Sequence, residues 1–350
     1  MLLIKIISER ETEKKQKEIV MAEFRYNPLL DDWTIVNGNR QSRPDMPKDY
    51  CAFCPGSGKV PDHYTVLKYD NDWPSMSTNP GEPDPVANAF FKTAPSYGKC
   101  EVILYSSDHN GSLRDLPDAQ LDELVDLWTA RFDELSRDEK IKYILTFENR
   151  GAEVGTTQPH PHGQLYAYGF LPLRIRLELE NSKRYFEENG IGLLQKLRDE
   201  EMLFRKRVVF ENDHFIVFVP FYTDWPYMVY ILPKENHLHS FLDFSAEERH
   251  AFGQTLREVQ GMYDALFDRN FPYMMGIYQK PLHIEEFADS DRYYPFHVKF
   301  FPPLRGANSI KWNASSETAA WAKTNPRIVE ETAQELRDAL EKYRGQNRKG

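Results

Sequence analysis

Two stretches of the chain run in parallel when offset by 128 positions: His237 falls on His109, Phe241 on Leu113, Phe244 on Leu116 and Phe252 on Leu124. Each follows an apolar, strand-like run, CEVILYSS in one and MVYIL in the other. Each leads into an amphipathic helical pattern. In the first, Leu121, Leu124, Trp128, Phe132 and Leu135 recur at helical spacing; the second opens with Ser245 and Glu248, the signature of a capping box. The segments IKYILTFEN and QPHPHGQLYAY then read as two further strands, and YYPFHVKFFPP holds the place of the latter in the second stretch. A repeat of this kind restricts the architecture, because both copies must bury equivalent faces. The expectation is an α+β fold of duplicated units, antiparallel sheets with packed helices. Residues 1–20 form an N-terminal extension, residues 21–190 the first half and residues 191–350 the second, with a C-terminal helix opened by Asn325 and Pro326.

The net charge of -10 argues against a general nucleic-acid partner, since phosphate backbones require a basic face. Any anionic ligand must meet a local cluster of cations or backbone N–H groups. No apolar run reaches the roughly 18 residues that cross a bilayer, and the charged start MLLIKIISERETEKK lacks a small-residue cleavage site, with Met21 an alternative start. Three cysteines, two of them in Cys51-Ala-Phe-Cys54, point to a reduced cytoplasmic protein with a metal clip rather than a disulfide framework. Two thiolates fill two corners of a tetrahedron, and His109 and His160 are the candidates for the others; the alternative is a reduced pair packed in a turn.

In TTQPHPHGQLYAY, a strand would set His160, His162 and Gln164 on one face, with Pro161 and Gly163 turned away. If His160 binds metal, His162 is left for chemistry. A neutral imidazole is abundant near pH 7 and can attack phosphorus without a separate base. The Gln164 amide can donate to a phosphate oxygen but cannot act as an acid, which suits a leaving group that needs no proton.

FENRGAEVGTTQPHPHGQ, together with CAFC, SSDH, RYNPLLDDWTIV and YDNDWP, resembles the galactose-1-phosphate uridylyltransferase family, a two-repeat branch of the histidine-triad superfamily, from about Arg25 to Glu335. The resemblance implies a ping-pong exchange of UMP between UDP-glucose and galactose 1-phosphate through a uridylyl-histidine on His162, a step of galactose metabolism (the Leloir pathway). A related nucleotidyltransferase or phosphorylase acting on another nucleotide sugar or an adenine nucleotide is the alternative. Gln164 matches the glutamine that supports the phosphoryl group, and Arg40 and Arg43 match arginines on phosphate. Asn71, Asp72 and Trp73 match a uridine-holding segment. Phe147, Glu148, Asn149, Gly155 and Thr157 match positions that line the nucleotide and its phosphates.

The resemblance further implies one structural zinc per chain on Cys51, Cys54, His109 and His160, and a homodimer in which Lys311 and Glu317 recognise the hexose. A second metal site known in some members is expected to be absent: His297 and Glu178 match two of its ligands, but Tyr278 and Lys299 replace histidines. Lys299 is also expected to stand in the second repeat where His162 stands in the first, leaving only the first half catalytic.

Overall fold

The computed structural model describes residues 22–38, 50–156 and 158–347. The N-terminal extension, Arg40, Arg43 and Thr157 lie outside the described residues. The chain first forms a hairpin of β1 (Glu23–Asn27) and β2 (Asp32–Val36), turned at Asp31 with a φ of 49°. After a long irregular stretch come β3 (Leu67–Asp70), β4 (Thr93–Pro95) and β5 (Gly98–Leu104). Helix α1 (Asp118–Ser136), β6 (Tyr143–Arg150) and β7 (His162–Tyr168) follow. The connection to the second copy is α2 (Leu173–Asn189) and α3 (Leu193–Phe204). That copy runs β8 (Val208–Glu211), β9 (Phe215–Phe218), β10 (Val229–Pro233), α4 (Ala246–Phe267), β11 (Tyr273–Tyr278) and β12 (His297–Phe301). A small hairpin of β13 (Leu304–Gly306) and β14 (Ser309–Ile310), the short α5 (Ser315–Ala319) and α6 (Val329–Asn347) complete it.

Nine strands make one antiparallel sheet in the order β3-β5-β7-β6-β11-β12-β10-β9-β8. Outward from the β6–β11 seam, β6-β7-β5-β3 on one side answers β11-β12-β10-β9 on the other, and α1 and α4 hold equivalent places in chain order. The duplication read from the sequence is thus a pseudo-twofold sheet, and the Ser245–Glu248 capping box forms as expected.

One face of the sheet carries α1, α4 and α6 over a continuous core. The helical-spacing residues of α1 are all buried, Trp128 completely, each contributing roughly 1.5–3 kcal/mol. Arg131 of α1 is pinned to the sheet by a bidentate bond to the buried Glu101 of β5, at 2.7 and 2.8 Å. On the other face, Ile175 and Leu179 of α2 and Leu194 of α3 pack on the second-half strands through Ile216, Phe218 and Tyr230. Helix α2 thus packs on strands of the second half. The same face of the first half is covered by Phe24, Met76 and Tyr166 in one cluster and by Phe53, Val60, Val102 and Leu104 in another.

Two expected boundaries move. Strand β7 begins at His162, so His160 lies just before the strand rather than on its face. Asn325 accepts from the backbone N–H of Arg327 in a preceding turn, and α6 starts only at Val329. No helix among the described residues is long and apolar enough to cross a membrane.

Candidate active site and metal centre

The Cys-x-x-Cys segment is a turn, with the Cys54 N–H donating to the Cys51 carbonyl at 3.3 Å and that of Ser57 to the Cys54 carbonyl at 3.1 Å. Phe53 anchors it, buried against the sheet. The turn brings both sulfurs to His109, beyond β5, and to His160, and one ligand atom from each of the four residues lies within 4.8 Å of all the others. Cys54 Sγ is 3.3 Å from His109 Nδ1 and 3.7 Å from His160 Nδ1, and Cys51 Sγ is 3.7 Å from His160 Nδ1. A cation held tetrahedrally at about 2.3 Å from sulfur and about 2.0 Å from nitrogen needs sulfur–nitrogen edges of about 3.5 Å. The cluster fits a metal ion.

The outer contacts agree. His160 is buried, and its Nε2 is 2.7 Å from the Ser106 carbonyl, an interaction that leaves Nδ1 with the lone pair a metal requires. Burial pushes the His160 pKa down, favouring that neutral form. Burial, then Cys51, push the Cys54 thiol up to about 11; a bound cation reverses this because thiolate is the ligand.

His162 is tied to this centre through the main chain. Its Nδ1 is 2.8 Å from the carbonyl of His160, so Nδ1 carries the proton and Nε2 is the basic nitrogen. The ring is half-buried and lies 5.5 Å from that of Phe53. The strand then sets Gln164 and Tyr166 on the face of His162, and the register pairs Gln164 with Phe147. Phe147 packs edge-on against Tyr166 at 5.0 Å, and alternation puts Asn149 on the same face.

Between β6 and β7 the chain passes through Gly151 (φ 98°) and Gly155 (φ 77°). A side chain at Gly151 would strike Pro272 at 2.7 Å, whereas the space beside Gly155 is open. Thr156 donates to the Asn149 carbonyl at 2.8 Å, closing the loop on β6. Asn149, Gly151, Thr156, Gln158 and His162 border a cavity of about 320 Å³.

Asn71, Asp72 and Trp73 follow edge strand β3. Asn71 accepts from the Trp73 N–H at 2.8 Å, and Asp72 is exposed and accepts from the Tyr69 hydroxyl. Since Leu104 pairs with His162 and Asn71 donates to the Cys100 carbonyl, the segment lies four residues along β5 from the nucleophile, roughly 13 Å.

Two other expected groups are arranged differently. Glu148 borders the cavity, but alternation turns its side chain to the helix-bearing face, where Oε1 accepts from Tyr273 at 3.0 Å. Burial pushes this carboxyl up to about 7. Lys311 and Glu317 bind each other at 2.6 Å, with the ammonium over the Trp225 ring. Their mutual contact is formed within the second half. Sequence reasoning missed Tyr105, whose partners are remote in the chain, and Ser106 and Tyr64 beside the metal ligand; only the proximity of Ser106 to His109 hinted at a shared loop.

The second half reproduces the nucleophile's setting, but at another residue than expected. His297 Nδ1 is 2.9 Å from the Pro295 carbonyl, the same two-residue contact as His162 makes with His160. The β10–β12 register, continued by one pair, sets His297 beside Leu232, the residue that the 128-position offset places on Leu104. His297 is therefore the counterpart of His162, and Lys299 that of Gln164. His297 is wholly buried beneath the stacked ring of Tyr278, 4.8 Å away. Lys299 donates to Glu178 at 2.6 Å, and Tyr294 donates to the same carboxylate. Burial pushes Lys299 down to about 8 despite Glu178, and pushes His297 down to about 3 together with the Lys299 charge.

Known proteins share the sequence and fold of this chain. Residues 11–172 match the family model for galactose-1-phosphate uridyl transferase, N-terminal domain, and residues 178–348 that for its C-terminal domain. A galactose-1-phosphate uridylyltransferase of Thermotoga maritima is 42% identical over 91% of this chain and 98% of its own. That of Schizosaccharomyces pombe is 32% identical over 86% and 89%. A solved uridylyltransferase superposes with a TM-score of 0.82 at 28% identity, covering 91% of this chain and 99% of the other. An ADP-glucose phosphorylase from Arabidopsis thaliana shares the fold, with a TM-score of 0.69 at 23% identity, over 90% and 98%.

Proposed function

The chain belongs to the galactose-1-phosphate uridylyltransferase family, and on that premise we propose that it exchanges UMP between UDP-glucose and galactose 1-phosphate through His162. The observation that carries the mechanism is the Nδ1 contact of His162 with the His160 carbonyl. It aims Nε2, with its lone pair, as the nucleophile. Nε2 attacks the α-phosphorus, a nitrogen–phosphorus bond forms, and the bond to the bridging oxygen breaks with its electron pair leaving on glucose 1-phosphate. An oxygen of galactose 1-phosphate then displaces the histidine, giving UDP-galactose.

Gln164 supports the phosphoryl oxygens by donating from its amide. The uridine runs along β5 toward Asn71, Asp72 and Trp73, and the roughly 13 Å span suits a nucleoside with its α-phosphate. Arg40, Arg43, Asn149, Gly155 and Thr157 serve the phosphates, Phe147 floors the site, and Glu148 acts from behind the strand. Cys51, Cys54, His109 and His160 would hold one zinc ion, a closed structural site with no open position. Lys311 and Glu317 reach the hexose of a partner subunit's site in a homodimer. Thiolate ligands suit a reducing compartment, and the cytoplasm is the expected location.

Intact-mass measurement after incubation with UDP-glucose tests the reading: a uridylyl adduct on His162 is expected, and none after His162→Ala. Label exchange between glucose 1-phosphate and UDP-glucose should vanish in the same variant. An adduct with ADP-glucose but not UDP-glucose would overturn the substrate assignment.

A further inference from the structure

We propose that Glu148, Tyr105 and Tyr273 are positioning residues, a buried brace that sets the strand carrying His162 and Gln164 from the face opposite those two side chains. The proposal rests on the uridylyl-transfer reading of His162. It starts from the glycine between the two reacting positions. Gly163 has ordinary extended backbone, yet an added Cβ would lie 2.1 Å from the Tyr105 hydroxyl oxygen, 3.0 Å from its Cζ and 3.1 Å from the Phe147 carbonyl. The phenol therefore fills the place of a side chain at that position. Its main-chain N–H also donates to the Pro161 carbonyl at 3.1 Å, so Tyr105 touches the backbone on both sides of His162.

Behind Tyr105 the brace continues into the second half. Glu148 Oε1 accepts from the Tyr273 hydroxyl at 3.0 Å, and Tyr273 in turn accepts from Gln260 Nε2 at 2.6 Å. The Gln260 amide oxygen accepts from the Arg114 N–H at 2.7 Å, which fixes the chain's far end. Tyr105 Oη and Glu148 Oε2 are neighbours, both buried and both lacking another partner. Burial pushes the Glu148 carboxyl up to about 7, and the Tyr105 hydroxyl, turned to Oε2, can donate to it and satisfy both atoms. The chain runs behind the strand and borders the same cavity as His162. Its leverage is geometric, since a misplacement of about 1 Å between reacting groups can cost roughly 100-fold in rate.

The test uses the full-length, metal-loaded protein with Tyr105→Phe, Tyr273→Phe, Glu148→Leu and Glu148→Gln. Adduct formation by the unaltered protein checks the underlying reading separately. In each variant the fraction of chains accepting UMP is measured by intact mass, and kcat is expressed per competent chain. Glu148→Leu is expected to lower kcat per competent chain about 10- to 100-fold, with KM for UDP-glucose changed less than about threefold. Tyr105→Phe and Tyr273→Phe, which are close in shape, should each lower it by a smaller factor. Glu148→Gln should recover most of the loss, because an amide can accept from Tyr273 and donate to Tyr105.

Side-chain nitrogen resonances of His162 give a readout independent of substrate, and they should move in Glu148→Leu and Tyr105→Phe. Unchanged kcat per competent chain in those two variants would overturn the brace, leaving it a matter of stability. If the unaltered protein takes no UMP, the transfer reading fails instead, and unmoved His162 resonances in the variants would then sink the brace on their own.

Discussion

Lys299→Met should destabilise the protein sharply, although the ion pair it breaks contributes little as a whole. Burial pushes the Glu178 carboxyl up, but Lys299, His297 and Arg174 outweigh it and hold the group at about 2, against an ordinary 4.5. At 1.36 kcal/mol per unit, that is about 3 kcal/mol of stability, present above pH 4.5 and lost as the pH falls toward 2. Lys299 runs the other way. Its ammonium is held at about 8 rather than 10.5, which costs about 3 kcal/mol below pH 8 and is relieved as the pH rises to 10.5. Burial works against each charge while its partner favours it, so near pH 7 the pair as a whole contributes little, as expected of a buried pair.

Removing the lysine alone leaves the carboxylate to bear its own burial, and the expected loss is about 3–5 kcal/mol. The double variant Glu178→Gln/Lys299→Met should return to within about 1 kcal/mol of the parent. Burial first, and the Lys299 charge after it, hold His297 down, so the single variant's deficit should shrink as the pH falls and His297 gains a proton to pair with Glu178. Denaturant unfolding of the metal-loaded protein between pH 5 and 8 measures all three. A single variant within 1 kcal/mol of the parent, or a double variant as weak as the single, would refute the reasoning.

Elemental analysis should find one zinc per chain, and Cys51→Ser should lose metal and folded protein together, before any specific loss of turnover; a metal-free protein of undiminished stability would contradict this. Gly163→Ala should lower exchange activity at least about tenfold, because the new methyl meets Tyr105 at 2.1 Å. Adding Tyr105→Phe removes that oxygen and should restore part of the rate in the same exchange assay. Arg131→Met should cost about 3–5 kcal/mol by stranding the Glu101 carboxylate, read as a lower denaturation midpoint and largely recovered in Glu101→Gln/Arg131→Met.

The duplicated fold was legible because Leu113, Leu116 and Leu124 and their partners Phe241, Phe244 and Phe252 are all core residues, and burial keeps them apolar. The metal cluster was legible because thiol and imidazole ligands are few. The offset of 128 failed beyond the helices for a physical reason. The connection from β11 to β12 is longer than that from β6 to β7, so His162 corresponds to His297 at an offset of 135. Glu148 borders the cavity with His162, but its bond to Tyr273, 125 residues away, was not legible in the sequence. No local pattern encodes a partner at that distance.

The two halves show why one backbone device yields one catalyst. In both, a histidine ring is oriented by a carbonyl two residues earlier. In the first half that carbonyl belongs to His160, whose ring joins the metal cluster, so a cation bound there would fix the nucleophile's tether through a single residue. In the second it belongs to Pro295, which offers no ligand atom. What the metal centre stabilises in one half, packing stabilises in the other: Tyr278 stacks on His297, and Lys299 with Glu178 closes the space where Gln164 stands open. A half-buried nucleophile has less of the packing that holds His297, and a metal bound at the Cys₂His₂ cluster would supply rigidity without covering the ring. Catalysis on this fold thus depends on stabilising the strand from its start and its back, so that its front remains free for substrate.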